Sequence, residues 1–150
     1  TLFSLHDALP IYLNDSPDCH LELGFDEELS HLIYAGADMV VMPSLFEPCG
    51  LTQMIALKYG TVPIVRAVGG LQDTVFDKDY DGRPWEQRNG FVFHNADHAG
   101  LESAMHRAIA LWFAYPKDFR QLMIHGMSCD YSWCRPGQDY LNIYELIRSK

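Results

Sequence analysis

Apolar residues come in two rhythms along the middle of this chain. The runs "DMVVMP" (38–43), "TVPIVR" (61–66) and "GFVF" (90–93) are short and continuously apolar. Runs of that kind predict strands buried on both faces, as parallel strands are. Around them, apolar positions recur at helical spacing. In "DEELSHLIYAGA" (26–37), Leu29, Leu32 and Ile33 share one face, and the acids of the first turn complement the helix dipole. In "GLTQMIALKYG" (50–60), Leu51, Met54, Ile55 and Leu57 are apolar and Gly60 is the stop. "VGGLQDTVF" (68–76) reads as a Gly-Gly turn leading into a short helical piece. Further helices are predicted over 98–116, over 117–127, and from Pro136 to the end. Upstream, "YLNDSPD" (12–18) reads as a turn and "CHLELGF" (19–25) as a short alternating strand. Pro63 warns of a missing hydrogen bond inside the second apolar run. The alternation of strand and helix predicts an α/β fold: a parallel sheet with flanking helices and a helical C-terminal tail.

The chain has 150 residues, 48% of them hydrophobic, which suits one soluble domain with a real core or a piece of something larger. Its formal net charge is -9, and it shows none of the basic patches that a nucleic-acid partner usually leaves. An anionic substrate would need local cations or helix N-termini, because the global field repels it. Four cysteines occur without a C-x-x-C pair or a signal peptide, so reduced thiols in a cytosol-like compartment are expected. No apolar run approaches the roughly 20 residues of a membrane helix.

The stretch that suggests chemistry is "SLFEPCGLTQ" (44–53). Ligands of open α/β sheets bind beyond the carboxyl ends of strands, and the strand at 38–42 runs toward Glu47. The helix that follows has free N–H groups at its start, suited to a phosphate. Thr52 can add a hydroxyl, and Gly50 permits close backbone approach. The reading is a sugar or phosphate site in which Glu47 binds hydroxyls or stabilises positive charge. The competing reading is that Glu47 and Thr52 only cap the helix. Cys49 could be a nucleophile activated by the helix N-terminus, but a small lining residue is the favoured role. Gly69-Gly70 either lays amides against a ligand or is an ordinary strand-helix turn. "DKDYDG" (77–82) imitates the start of a calcium loop, yet its twelfth position, which should be glutamate, is Arg88, so a solvated acidic turn is preferred. The histidines make no metal motif, with His106 and His125 read as partly buried helix residues. Tyr131, Trp133 and Tyr140 read as core aromatics rather than a stacking platform.

The blocks "FEPCGLTQ", "YGTVPIVR", "GGLQDTV" and "YSW" resemble those of bacterial glycogen synthases and plant starch synthases, retaining glycosyltransferases that use ADP-glucose. The resemblance runs from about residue 19 to the end, and "DYDGRPWEQRNGFVF" is most similar to cyanobacterial members. It implies the GT-B fold, two Rossmann-like domains facing each other across a cleft. Residues 12–150 would be part of the C-terminal, nucleotide-sugar-binding domain. Residues 1–11 do not resemble the family and read as an unassigned leader of foreign origin. By resemblance, Glu47 contacts the donor glucose and supports departure of the nucleotide. Cys49, Gly50 and Leu51 line the glucose and phosphates, Thr52 contacts the diphosphate, and Phe25 lies against the adenine. Ile55 stands where related retaining families carry a second glutamate. The implied partners are ADP-glucose, an α-1,4-glucan and the N-terminal domain of the same chain, with no cofactor, no metal, no nucleic acid and no membrane. The implied location is the cytoplasm, or the plastid stroma in a plant or alga. The family's diphosphate-binding Arg and Lys lie upstream of the matching region, so the isolated chain is expected to be inactive. The alternatives are a non-catalytic nucleotide-sugar-binding module and another GT-B glycosyltransferase such as sucrose synthase or a phosphorylase.

Overall fold

The computed structural model describes residues 17–149, so the expected leader at 1–11 and most of the turn at 12–18 lie outside the described residues. The chain divides into two compact units, Thr1–His31 and Leu32–Lys150. In the first, residues 19–25 do not form the expected strand. The alternation is there, but Leu23 and Phe25 are 78% and 92% exposed, so it has no face to bury. Asp26 then caps helix α1 (Glu27–Gly36), its Oδ1 accepting the Leu29 amide at 2.9 Å. The helical spacing there is real, although Leu32 and Ile33 remain exposed.

The second unit carries the predicted sheet. Strands β1 (Met39–Met42), β2 (Val62–Arg66) and β3 (Phe91–Phe93) are all parallel, in the order β1-β2-β3. Helices α2 (Thr52–Tyr59) and α3 (Gly70–Thr74) make the crossovers with the loops around them. Helices α4 (His98–Ala114), α5 (Pro116–Ser128) and α6 (Cys134–Arg148) follow β3. Alternate residues of the central strand face opposite ways. Val62 and Ile64 join Phe91 and Phe93 under α4 and α5, against Ala104, Ala108, Leu111, Phe119 and Leu122. Val65 joins Met42, Leu71 and Val75 on the other face. Both faces of the central strand are therefore covered, which is why Val62–Val65 is apolar, whereas Val41 on β1 remains exposed. Each fully buried Leu, Ile or Phe contributes about 1.5–3 kcal/mol of transfer free energy.

Pro63 sits in the central strand without breaking it. The β2–β3 ladder begins one residue later, at Ile64↔Phe91, so its missing N–H falls before that ladder starts. The acidic turn after α3 is pinned by Asn89, whose Oδ1 accepts the Phe76 amide at 2.8 Å and whose Nδ2 donates to the Thr74 carbonyl at 3.0 Å.

Two expectations fail at the C-terminal end. Helix α6 begins at Cys134, two residues before Pro136, because a proline within the first turn forfeits only an N–H that has no helical partner. None of its residues is buried, and Trp133 and Tyr140, 6.2 Å apart, are exposed rather than core. His125 is buried as expected, edge-on to Trp85, but His106 is exposed beside Glu102. Among the described residues no helix is long and apolar enough to cross a membrane.

Candidate functional site

The loop between β1 and α2 lies at the carboxyl end of the sheet and is gripped almost entirely by its main chain. Arg66, the last residue of β2, donates from Nε to the Ser44 carbonyl at 2.7 Å and from an Nη to the Leu45 carbonyl at 2.5 Å. The Gly70 amide donates to the carbonyls of Glu47 and Pro48, each at 3.3 Å. The Gln53 side chain, fully buried, donates from Nε2 to the carbonyls of Cys49 at 3.2 Å and Gly50 at 2.9 Å, and to the Thr74 hydroxyl at 3.0 Å. Its Oε1 is buried without a partner.

Close packing explains the Gly69-Gly70 pair. A Cβ on Gly69 would stand 1.8 Å from the Glu47 carbonyl oxygen, and one on Gly70 would stand 1.9 Å from that of Cys49. Gly69 also holds φ at 49°. The glycines are there to let the loop from β1 lie against the turn after β2, a role between the two readings the sequence allowed. Gly50, at φ 72°, is required for the same kind of reason, since a Cβ would come within 2.6 Å of Gln53 Oε1.

With its backbone held, the loop leaves its side chains unused. The Glu47 carboxylate is half-buried and makes no hydrogen bond or ion pair among the described residues. Neither Glu47 nor Thr52 caps α2: the N-cap position is Leu51, which is exposed, and no side chain caps it. The competing capping reading therefore does not describe this helix. Its first intrahelical bond from the cap is the Ile55 amide to the Leu51 carbonyl at 2.9 Å. That leaves the amides of Thr52, Gln53 and Met54 without an intrahelical acceptor at the positive end of the helix dipole, with Thr52 and Met54 part-exposed and Gln53 buried. Gly50, Leu51 and Thr52 are thus gathered beside Glu47, and Cys49 is an exposed free thiol on the same loop. Phe25 belongs to the first unit, where it is an exposed ring. Arg66 and Gln53 were not singled out from the sequence. A charged residue closing a buried strand was the one available signal for Arg66.

In the acidic turn the carboxylate that would begin a calcium loop is already engaged by the protein. Asp77 is buried, and both its oxygens are occupied by protein donors. Oδ1 accepts from the Asp79 and Tyr80 amides at 2.8 and 3.0 Å and from Arg107 at 3.0 Å, while Oδ2 accepts from the Val92 amide at 2.5 Å and Arg107 at 3.1 Å. Arg107 reaches Asp79 as well, at 2.8 Å. Burial alone would raise the Asp79 pKa, but hydrogen bonds from Lys78 and Arg107 outweigh it and hold the carboxyl below its ordinary value. Burial likewise opposes the charge on Arg107, and its two carboxylate partners more than offset it. Near the end of α5, burial and the neighbouring Cys129 push the Tyr131 phenol well above its usual range. The Tyr131 hydroxyl donates to the Thr74 carbonyl at 2.8 Å.

Residues 16–122 match the family described as glycosyl transferases group 1. The chain is 69% identical over 140 residues to glycogen synthase 1 of Synechococcus sp. (strain JA-3-3Ab), covering 93% of this chain and 28% of that protein. It is 66% identical over 137 residues to glycogen synthase 1 of Nitrosococcus oceani, covering 91% and 28%. The chain thus spans about 28% of the length of these curated relatives. Among solved structures, the catalytic domain of starch synthase IV from Arabidopsis thaliana, bound to ADP and acarbose, superposes with a TM-score of 0.90 at 41% identity, covering 97% of this chain and 29% of that one. A sucrose-phosphate synthase from Thermosynechococcus elongatus superposes at 0.66 and 26% identity, covering 93% and 33%.

Proposed function

This chain belongs to the group 1 glycosyl transferases, and on that premise we propose that it is the nucleotide-sugar-binding part of a glycogen or starch synthase. The whole protein would transfer glucose from ADP-glucose to the non-reducing end of an α-1,4-glucan with retention. The observation that carries this reading is the pairing, on one fixed loop, of an unpartnered carboxylate with an uncapped helix start. The two halves suit the two halves of a sugar nucleotide.

On this reading the free amides at the start of α2, those of the part-exposed Thr52 and Met54, receive the diphosphate, and the Thr52 hydroxyl adds a donor. They are fixed before the reaction, so they stabilise the charge that grows on the departing diphosphate without reorganising. Glu47 faces the sugar and lowers the energy of positive charge developing at the anomeric carbon, without forming a covalent bond. Same-face attack, with the leaving phosphate taking the acceptor's proton, accounts for retention. Cys49, Gly50 and Leu51 line the glucose and phosphates. ADP as the nucleotide is supported by the similar starch synthase IV, whose structure carries it.

The test is Glu47→Ala in the full-length synthase. Turnover is expected to fall far more than ADP affinity, because the carboxylate acts on the transition state. Equal losses in both would make Glu47 a plain binding contact. The 150-residue chain spans about 28% of these relatives, and by itself it is expected to elongate no glucan. Measurable elongation by it would overturn that expectation.

A further inference from the structure

A second cleft, of about 480 Å³, opens beyond the carboxyl ends of β2 and β3, between α3 and the acidic turn. That volume is within the roughly 300–1,000 Å³ of small-molecule sites. Its floor is apolar, from Val75 and Val92. Most of its charged groups are already paired within the protein: Arg83 grips Asp81 with contacts of 3.0 and 3.2 Å, and Asp77 is consumed by Arg107, which leaves the Asp73 carboxylate. What remains unused is a set of hydrogen-bonding side chains. Gln72 and Asp73 on α3, and His94 after β3, make no side-chain hydrogen bond among the described residues and line the same cleft. Tyr80 completes the set. One side of its ring meets the Arg107 guanidinium 4.9 Å away, yet the residue is 78% exposed.

We propose that this cleft is a binding subsite for a neutral oligosaccharide, the acceptor glucan of the reaction proposed above, on which this inference rests. A phosphate would find the Arg83 and Arg107 cations already paired and the Asp73 carboxylate repelling it, and a metal ion would find its best carboxylate already full. A polyhydroxyl chain needs what is left: an amide, a carboxylate and an imidazole to exchange hydrogen bonds with hydroxyls, and an aromatic face for the sugar's C–H side. The placement also fits. Helix α3, which carries Gln72 and Asp73, starts at Gly70, whose amide touches the Glu47 carbonyl. Neighbouring strands stand about 4.8 Å apart. The cleft therefore lies roughly one to two strand spacings from the loop carrying Glu47, a separation a short oligosaccharide spans.

The test uses Tyr80→Ala and Gln72→Ala in the full-length synthase, both at exposed positions. Apparent KM for a maltooligosaccharide acceptor is expected to rise roughly threefold to tenfold for Tyr80→Ala, the range for losing one aromatic face, and KM for the sugar nucleotide to stay unchanged. Unchanged acceptor KM in both variants, or a rise in donor KM alone, would overturn the subsite. If the unmodified synthase transfers glucose from no nucleotide sugar, the functional reading fails instead. Saturation-transfer NMR with maltotetraose then decides the cleft by itself: transfer that Tyr80→Ala abolishes keeps it as a carbohydrate site, and transfer that is absent or unaffected removes it.

Discussion

Gly70→Ala is a demanding test of how the candidate site is held. The added methyl would stand 1.9 Å from the Cys49 carbonyl oxygen and 2.6 Å from both its carbonyl carbon and its Cα. Ordinary contact begins near 3.4 Å, so the Glu47–Cys49 backbone must retreat by about 1.5 Å. Gly70 has no positive φ, so alanine is acceptable to its own backbone and steric displacement is the only local fault. Overpacking of this kind costs about 1–3 kcal/mol, and loss of the forked hydrogen bond from the Gly70 amide costs about 1 kcal/mol more. The functional cost should exceed the structural one. A misplacement of about 1 Å can reduce a rate about 100-fold, and here the displaced segment carries the proposed catalytic carboxylate. Steady-state kinetics of the full-length synthase should show kcat/KM for the donor falling by about that factor, with a lowered unfolding temperature. Gly137→Ala is the control, since nothing lies within 4 Å of its added methyl. A Gly70→Ala enzyme within about twofold of the parent in kcat/KM would refute the claim that this contact positions the loop.

The acidic turn offers two further tests. Because the folded Asp79 carboxyl lies below its ordinary value, the stability it contributes is present above that value and disappears as pH falls through the folded pKa. Denaturant unfolding of the parent and of Asp79→Asn should therefore differ near neutral pH and converge in strong acid, and a gap that widens on acidification would reverse the sign of the argument. Calcium at millimolar concentration should leave the unfolding temperature unchanged, since Asp77 already accepts from Arg107 and three backbone amides, and a clear rise would show that the turn binds the ion after all.

The elements were legible where one rhythm ruled a segment. The apolar runs at 38–43, 61–66 and 90–93 became the three parallel strands, and in the central one burial on both faces leaves no room for polar positions before Arg66. Residues 19–25 misled because alternation reports a strand only when a neighbour exists to bury one face, and sequence spacing carries no information about neighbours. The same limit explains Trp133 and Tyr140, whose size suggested a core that the described structure does not provide. At the candidate site, Glu47 and Thr52 stood out as candidates because a carboxylate and a hydroxyl stand at the entry to a helix. The supports were not visible. Arg66 and Gly70 act on carbonyls about 20 residues earlier in the chain, a relation that exists only after β1 and β2 pair. Asp77 was misread for the same reason, since Arg107 lies 30 residues away.

The carbonyls of Ser44, Leu45, Glu47, Pro48, Cys49 and Gly50 are all taken up by Arg66, Gly70 and Gln53. The scaffold thus recognises this loop by its course through space and is indifferent to most of its side chains. Positions 45, 46, 47, 49 and 51 can be exchanged at little cost to folding, whereas 50, 53, 66, 69 and 70 cannot. Evolution, or a combinatorial library confined to those five positions, can therefore vary what the pocket accepts while inheriting the architecture that presents it.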